Sequence, residues 1–94
     1  MMIKGFKNTD TEFLFNGKPV LKWQAIRRQA ERRLQILDSA TCINDLRNLP
    51  SNGFEVLKGD RKGQYSIRIN IQWRICFKLN ANDEPYDVEI VDYH

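Results

Sequence analysis

Basic and polar side chains alternate with apolar ones along the central stretch of the sequence, residues 57–77. Between Tyr65 and Asn70 every second residue is apolar, and this period of two turns one face of a strand to a core and the other to water. Neighbouring antiparallel strands set their outward side chains side by side. We therefore expect one polar surface made by Ser66, Arg68, Asn70 and Arg74. Because a guanidinium can hold two phosphate oxygens at once, this surface suits a polyanion.

The distribution of charge supports that expectation more than the net charge, which is only +3. Lys58, Arg61 and Lys62 lie in the turn just before the predicted hairpin, whereas acidic residues gather in the last part of the sequence. Such an asymmetry gives a fold an electropositive side that attracts phosphate. A run of charge is usually only a solvated face, and composition alone leaves both interpretations open.

The elements that must position this surface are strands that follow one another after residue 53. Alternation predicts strands over residues 54–57, 64–70, 73–79 and 86–91, joined by short turns. A further strand is predicted over residues 3–6. We expect a mostly antiparallel sheet that begins with this N-terminal strand.

Helical spacing comes before the strands. Apolar residues recur at three- and four-residue steps over residues 22–37, which predicts an amphipathic helix across one face of the sheet. A short helix that ends at Phe15, capped by Thr9 or Asp10, and a helical turn over residues 39–46 complete the set. The fold class is therefore α+β, with N-terminal helices packed on one face of the sheet.

The outer face of the 22–37 helix is rich in arginine. Two interpretations are open for it: a solvated surface with ion pairs to Glu31, or a surface for a partner protein or RNA. Its polar residues are Arg27, Arg28, Glu31, Arg32 and Gln35.

The length of 94 residues fits one domain, residues 1–94. Cys42 and Cys76 lack the spacing of metal ligands, and we expect both to be reduced packing residues. With a single histidine in the chain, no metal site is expected. The first residues lack the apolar segment of a signal peptide, and no apolar run is long enough to span a membrane, so the expected location is cytoplasmic.

Several segments together carry a resemblance to a known family. They are Leu57-Lys58-Gly59-Asp60-Arg61, Ser66-Ile67-Arg68-Ile69-Asn70, Gln72-Trp73-Arg74-Ile75-Cys76-Phe77 and Asp92-Tyr93-His94. With residues 2–6 and 34–41, the likeness covers nearly the whole chain in the same order. The chain resembles a HigB toxin of the RelE superfamily, and it is the combination of segments that makes the resemblance specific.

The resemblance implies the RelE-like microbial RNase fold, a bacterial origin and the toxin of a type II toxin–antitoxin system. It further implies a metal-independent endoribonuclease that cleaves mRNA in the ribosomal A site, leaves a 2′,3′-cyclic phosphate, and inhibits translation and growth. The implied partners are mRNA, the ribosome and a HigA-type helix-turn-helix antitoxin. Operator DNA would be reached only through that antitoxin, and neither a cofactor nor a membrane is implied.

The same resemblance implies which residues surround the scissile phosphate. The implied catalytic residues are Lys58, Arg74, Asp92, Tyr93 and His94, and Arg68 lies where related toxins also have a basic residue. Together with the basic polar surface, this gives Glu55, Arg61, Lys62, Ser66 and Arg68 as the predicted RNA-binding residues. Glu55 departs from the pattern, because some HigB toxins have histidine at that position. A carboxylate can act as a base but brings no positive charge.

Cleavage by a neighbouring 2′-hydroxyl needs a base, positive groups beside the phosphorane and an acid for the departing 5′-oxygen. Lys58, Arg68 and Arg74 can supply the positive charge. His94 can supply the acid because imidazole titrates near neutral pH. Asp92 or Glu55 can orient His94 or serve as the base.

Structural roles remain open for these residues. His94 can be a frayed chain end, Tyr93 can be edge packing, and Arg74 can simply pair with Asp87 or Glu89 across the sheet. Two other functions also fit the basic hairpin: a module that binds RNA or the ribosome without cutting and acts with a DNA-binding partner, and a scaffold domain.

Overall fold

The computed structural model describes residues 1–93, and helices precede strands in it as the change of spacing predicts. The helices are α1 (Thr9–Phe15), α2 (Arg27–Ser39) and α3 (Ile43–Arg47), with 3-10 helices at Leu21–Ile26, Pro50–Asn52 and Gly59–Arg61. The strands are β1 (Glu55–Val56), β2 (Tyr65–Arg68), β3 (Trp73–Leu79) and β4 (Pro85–Asp92). The α+β class is therefore confirmed. Over these residues, none of the helices combines the length and apolar character needed to cross a membrane.

The four strands form one sheet in the order β1-β2-β3-β4, and each pair of neighbours is antiparallel. No helix occurs between Gln64 and Phe77, so the predicted central hairpin is confirmed. β2 ends at Arg68, two residues earlier than predicted. The cause is the Asn70 side chain, which accepts hydrogen bonds from the backbone N–H groups of Gln72 and Trp73, both at 2.8 Å, and so begins the turn.

The N-terminal segment does not form the predicted antiparallel strand. It lies alongside β4 in the parallel direction, with a single bridge between Phe6 and Val88. The backbone N–H of Lys4 donates to the Pro85 carbonyl at 2.7 Å. Asp87 has a φ of 50° and interrupts the regular edge of β4, which explains why the pairing stays short.

α1 forms where predicted, but its cap is Asn8 rather than Thr9 or Asp10. The Asn8 side-chain oxygen accepts from the backbone N–H of Thr11 at 2.9 Å and from its hydroxyl at 2.7 Å. Asparagine is among the best N-cap residues because its side chain satisfies an N–H that has no partner in the first turn.

The predicted 22–37 helix is broken into two parts, the 3-10 helix Leu21–Ile26 and α2. Trp23 has non-helical backbone angles, with φ of −114° and ψ of 16°. Its indole packs edge-on against Trp73, with ring centroids 6.4 Å apart. The tighter first turn thus allows Trp23 and Ile26 to be buried together against the sheet.

α2 covers one face of the sheet with the apolar stripe that the sequence predicts. Ala30, Leu34 and Leu37 are fully buried, as are Ile75 and Phe77 from β3. Cutting one of these leucines back to alanine would cost about 2–5 kcal/mol, a large share of the stability of a small domain. The helices therefore occupy one face of the sheet.

The predicted helical turn over residues 39–46 is displaced, because α2 continues to Ser39 and α3 spans Ile43–Arg47. This places Cys42 at the start of α3, where it is exposed, so its assignment as a packing residue was wrong. Cys76 is buried in β3 as predicted. Neither thiol forms a disulfide.

Candidate active site

The arginines of the central hairpin lie on the face of the sheet that carries the polar side chains. Arg68 of β2 and Arg74 of β3 are directly opposite each other, and Ser66 is opposite both Glu55 and Cys76. Residues directly opposite in an antiparallel pair project to the same side. The shared face predicted for Ser66, Arg68 and Arg74 is therefore confirmed, but Ser66 is fully buried rather than at the surface, and Asn70 is used by the turn.

Arg74 is not exposed, contrary to the prediction that it faces water; only 5% of its surface is accessible. Its Nε donates to the Ser66 hydroxyl at 2.8 Å, and its Nη2 donates to the backbone carbonyl of Gly53. Its Nη1 lies 3.8 Å from a carboxylate oxygen of Glu55. These partners account for the burial, since a charge leaves water only when it is paired and hydrogen-bonded. They also differ from Asp87 and Glu89, the partners considered from the sequence.

Tyr93 contacts both Arg74 and Glu55. The Arg74 guanidinium carbon lies 5.1 Å from the centre of the Tyr93 ring, within the range of a cation–π contact. The Tyr93 hydroxyl donates to the other carboxylate oxygen of Glu55 at 3.2 Å. We call Gly53, Glu55, Ser66, Arg74 and Tyr93 the arginine cluster.

Partial burial, followed by the negative charge and hydrogen bond of Glu55, raises the pKa of Tyr93 above its ordinary value. The nearby Arg74 offsets only part of that increase. The phenol therefore keeps its proton at neutral pH and can donate a hydrogen bond, but it is not a base.

Arg68 lies beside the cluster and is exposed. Its side chain runs against Gly53, because a Cβ built on that glycine would come within 3.3 Å of the Arg68 Nε. Gly53 also has a left-handed φ of 50°, a conformation that favours glycine. Two cations directly across a strand pair repel each other, and an anion bound between them would relieve that repulsion.

The basic residues in the turn before β2 differ in whether they are exposed or paired with other side chains. Lys58 and Lys62 are exposed. Arg61 instead donates to Gln64 at 3.0 Å and lies 3.4 Å from Glu89, which also pairs with Lys7 at 3.4 Å. The charge of Arg61 is thus partly neutralised, while the two lysines remain accessible to a polyanion.

The structure does not bring Asp92 into the arginine cluster. Asp92 is opposite Trp73, which places its side chain on the helix-covered face of the sheet, and it accepts a hydrogen bond from Gln72 at 3.0 Å. Val91, its neighbour, is opposite Arg74. His94, the implied acid, lies outside the described residues.

Cys76 is a buried thiol on the same face of the sheet as the arginine cluster, directly opposite Ser66. Burial raises the pKa of its thiol, and this effect outweighs the lowering by Arg61 and Arg74. The group therefore stays a neutral thiol at neutral pH. Within residues 1–93, no three His, Cys, Asp or Glu side chains are grouped so that they could hold a metal ion.

Sequence reasoning missed Gly53, whose carbonyl is an acceptor for Arg74. The Asn52-Gly53 pair predicts a turn, but it does not indicate which side chain will contact that turn.

A separate cleft of about 350 Å³ is lined by Pro19, Val20, Leu21, Gln24 and Arg27. None of these belongs to the arginine cluster.

Comparison with known proteins identifies the family. The model of the RelE-like toxin HigB of type II toxin–antitoxin systems matches residues 11–94. Endoribonuclease HigB of Proteus vulgaris is 38% identical over 98 residues, which cover 99% of this chain and 100% of that protein. Toxin HigB-1 of Vibrio cholerae is 51% identical over 61 residues, which cover 58% of this chain and 64% of that protein.

Among solved structures, the YoeB–YefM complex from Staphylococcus aureus matches with a TM-score of 0.59. The match covers 100% of this chain and 99% of the other at 17% identity, so it shows a common fold. The family match spans most of the sequence, including every residue of the arginine cluster. The chain therefore belongs to the HigB-like toxins, the RelE-like toxins of type II toxin–antitoxin systems.

Proposed function

We propose that this HigB-family toxin is a ribosome-dependent endoribonuclease that cuts mRNA in the ribosomal A site and thereby inhibits translation and growth. The observation that carries the proposal is the arginine cluster: a guanidinium fixed by Ser66 and Gly53, with a carboxylate and a phenol in contact with it. The full-length relative from Proteus vulgaris that is named an endoribonuclease supports the same activity.

Glu55 is the better candidate for the base. It lies 3.8 Å from Arg74 and accepts a hydrogen bond from Tyr93, whereas Asp92 projects from the other face of the sheet. The Glu55 carboxylate takes the proton of the 2′-hydroxyl, and that oxygen attacks the phosphorus. The bond from phosphorus to the 5′-oxygen then breaks, and His94 donates a proton to the leaving oxygen. The products are a 2′,3′-cyclic phosphate and a 5′-hydroxyl.

The positive charges that face the negatively charged phosphorane come from Arg74, from Arg68 directly opposite it in the strand pair, and from the exposed Lys58 in the turn before β2. Preorganised charges of this kind are usually a large part of an enzyme's rate enhancement. Because these three cations match the charge that develops on the phosphate, the proposed reaction needs no metal ion.

Without substrate, Glu55 and Tyr93 lie against Arg74, so a substrate phosphate must displace at least one of them to reach the guanidinium. The side chain of Glu55 is 49% exposed and Tyr93 is 44% exposed, which leaves both free to move without disturbing the core. A substrate phosphate would replace the Glu55 carboxylate beside Nη1 of Arg74. Displaced from that contact, Glu55 becomes available to take the 2′-hydroxyl proton.

The proposed partner is a HigA-type helix-turn-helix antitoxin, through which alone the toxin would contact operator DNA. The matching structure is itself a YoeB–YefM complex. Arg28 and Arg32 on α2 are exposed, and α2 covers the helical side of the sheet rather than the side with the arginine cluster. We place the antitoxin on this helix, and the toxin in the cytoplasm where ribosomes translate.

The test is to map the 5′ ends of a short mRNA on purified ribosomes after adding the toxin. The wild type should give new ends within the A-site codon and Arg74→Ala should not, whereas Arg28→Ala should cut like the wild type because Arg28 is exposed on α2. A toxin that slows translation without new 5′ ends would instead be a binding module. Brief chelation of magnesium after complex formation should leave cleavage intact if no metal takes part.

A further inference from the structure

Asn52 is a polar residue with no accessible surface, next to the arginine cluster but outside it. Its side-chain amide donates to the Leu46 carbonyl at 3.1 Å. Its side-chain oxygen accepts from Nη1 of Arg33 at 2.8 Å. A buried amide with both ends bonded fixes the backbone that carries it, because any displacement would leave buried polar groups unpaired.

Arg33 connects this loop to α2. It is part-buried, and burial together with the neighbouring Arg32 lowers the pKa of its guanidinium. The side chain also reaches the Ser51 hydroxyl at 3.4 Å. Arg33 therefore differs from Arg28 and Arg32, which are exposed on the same helix.

The residue after Asn52 is Gly53, whose carbonyl accepts the hydrogen bond from Nη2 of Arg74. The Gly53 N–H donates to the Pro50 carbonyl at 3.1 Å, so the direction of its carbonyl is set by the same turn. We propose that Arg33 and Asn52 are positioning residues for Arg74: they hold the turn whose Gly53 carbonyl orients the guanidinium that faces the scissile phosphate. The inference rests on the proposed function for the role of Arg74.

Neither positioning residue needs to touch the substrate. If the turn at residues 50–53 shifts, the Gly53 carbonyl moves with it. The Arg74 guanidinium then loses that acceptor and can rotate while it keeps its hydrogen bond to Ser66. A misplacement of about 1 Å at a catalytic group can lower the rate on the order of 10²-fold. Binding to the ribosome should change little, since the exposed charges of Lys58 and Lys62 flank a different turn, Gly59–Arg61.

The variant that tests the proposal is Arg33→Met, which keeps an unbranched apolar stem about as long as arginine up to its Nε but cannot donate to Asn52. It should lower kcat roughly 10- to 100-fold and leave KM for programmed ribosomes unchanged. Arg33→Lys, which restores a donor, should recover most of the rate. Arg28→Met is the matched control because it removes an arginine from the same helix at an exposed position.

Coupling to Arg74 distinguishes positioning from a general loss of structure. In an Arg74→Lys background the guanidinium is absent, so adding Arg33→Met should cause no further loss of rate. An equal loss in both backgrounds would overturn the proposal, and so would a wild-type kcat in Arg33→Met. If Arg33→Met does not fold, Arg33→Gln, which also lacks the guanidinium that donates to Asn52, takes its place.

A second readout does not depend on cleavage. In the free toxin the Nε–H of Arg74 donates to Ser66 and is shielded from water, so its NMR signal should be visible and slow to exchange. Arg33→Met should speed that exchange at least severalfold, with Arg28→Met unchanged. Faster exchange in a toxin that cuts no mRNA would support positioning and reject the proposed function. Unchanged exchange would overturn the positioning role whatever the activity.

Discussion

The change that best separates chemistry from folding is Glu55→Gln. Glutamine has the shape of glutamate and its side-chain oxygen can still accept the hydrogen bond from Tyr93, which glutamate accepts at 3.2 Å. What the variant loses is the negative charge 3.8 Å from Arg74 and the ability to take a proton. The substitution therefore leaves the geometry of the arginine cluster in place and removes the proposed base.

The expected effects on stability and on cleavage differ in size. The Glu55 side chain is 49% exposed, and an ion pair with that exposure contributes at most about 1 kcal/mol, so Tm should fall by no more than about 4–8 °C. A general base contributes about 10²–10⁴ in rate, which corresponds to roughly 3–5 kcal/mol in activation free energy. Cleavage should therefore be lost in a toxin that is still folded.

The assay is single-turnover cleavage of an A-site codon on programmed ribosomes, with Tm measured on the same preparations. Glu55→Ala is the companion variant, because it also removes the acceptor for Tyr93 and should lose slightly more stability. A Glu55→Gln toxin that cuts at the wild-type rate would refute the assignment of Glu55 as the base. A rate increase would mean that Glu55 acts only by competing with phosphate for Arg74.

His94→Gln, which cannot become cationic, should lower cleavage about 10²–10⁴-fold at unchanged Tm, and retained activity would transfer the acid role to Lys58 or Tyr93. Titrating tyrosinate absorbance should show that Glu55→Gln lowers the pKa of Tyr93, since the carboxylate charge that raises it is gone. In the wild type, denaturation measured against pH should show stability falling as the pH rises beyond 10.0, because the folded state holds the Tyr93 proton more tightly than the unfolded one. Gly53→Ala should destabilise by about 1–2 kcal/mol in denaturant melts, since alanine disfavours the left-handed φ of 50°, and an unchanged midpoint would contradict that backbone geometry.

The fold was predictable because its signals are local. A period of two specifies strands, and a step of three or four specifies a helix, so the order of the elements follows from neighbouring residues. The common face of Arg68 and Arg74 was predicted as well, but their exact pairing was not, because β2 ends two residues earlier than the alternation indicates. The parallel N-terminal segment was not predictable, since its partner Val88 is far away in the sequence.

The surroundings of Arg74 could not be predicted for the same reason. Its alternation in β3 indicated a water-facing residue, yet Gly53, Glu55 and Tyr93 come from distant parts of the chain and cover it. Alternation says which face a side chain takes, but it does not say what other segments are placed over that face. Sequence reasoning therefore placed Arg74 on the correct face of the sheet and assigned it the wrong exposure.

The position of Tyr93 in the chain bears on the timing of toxicity. A ribosome makes Glu55, Ser66 and Arg74 well before it makes β4 and Tyr93. β3 lacks its partner strand until then, and domains generally fold as units once the necessary segments have emerged. A nascent chain that has not yet released β4 therefore lacks the Tyr93 side of the arginine cluster. On the proposed function, the chain gains its cleavage activity only after β4 has emerged from the ribosome that makes it.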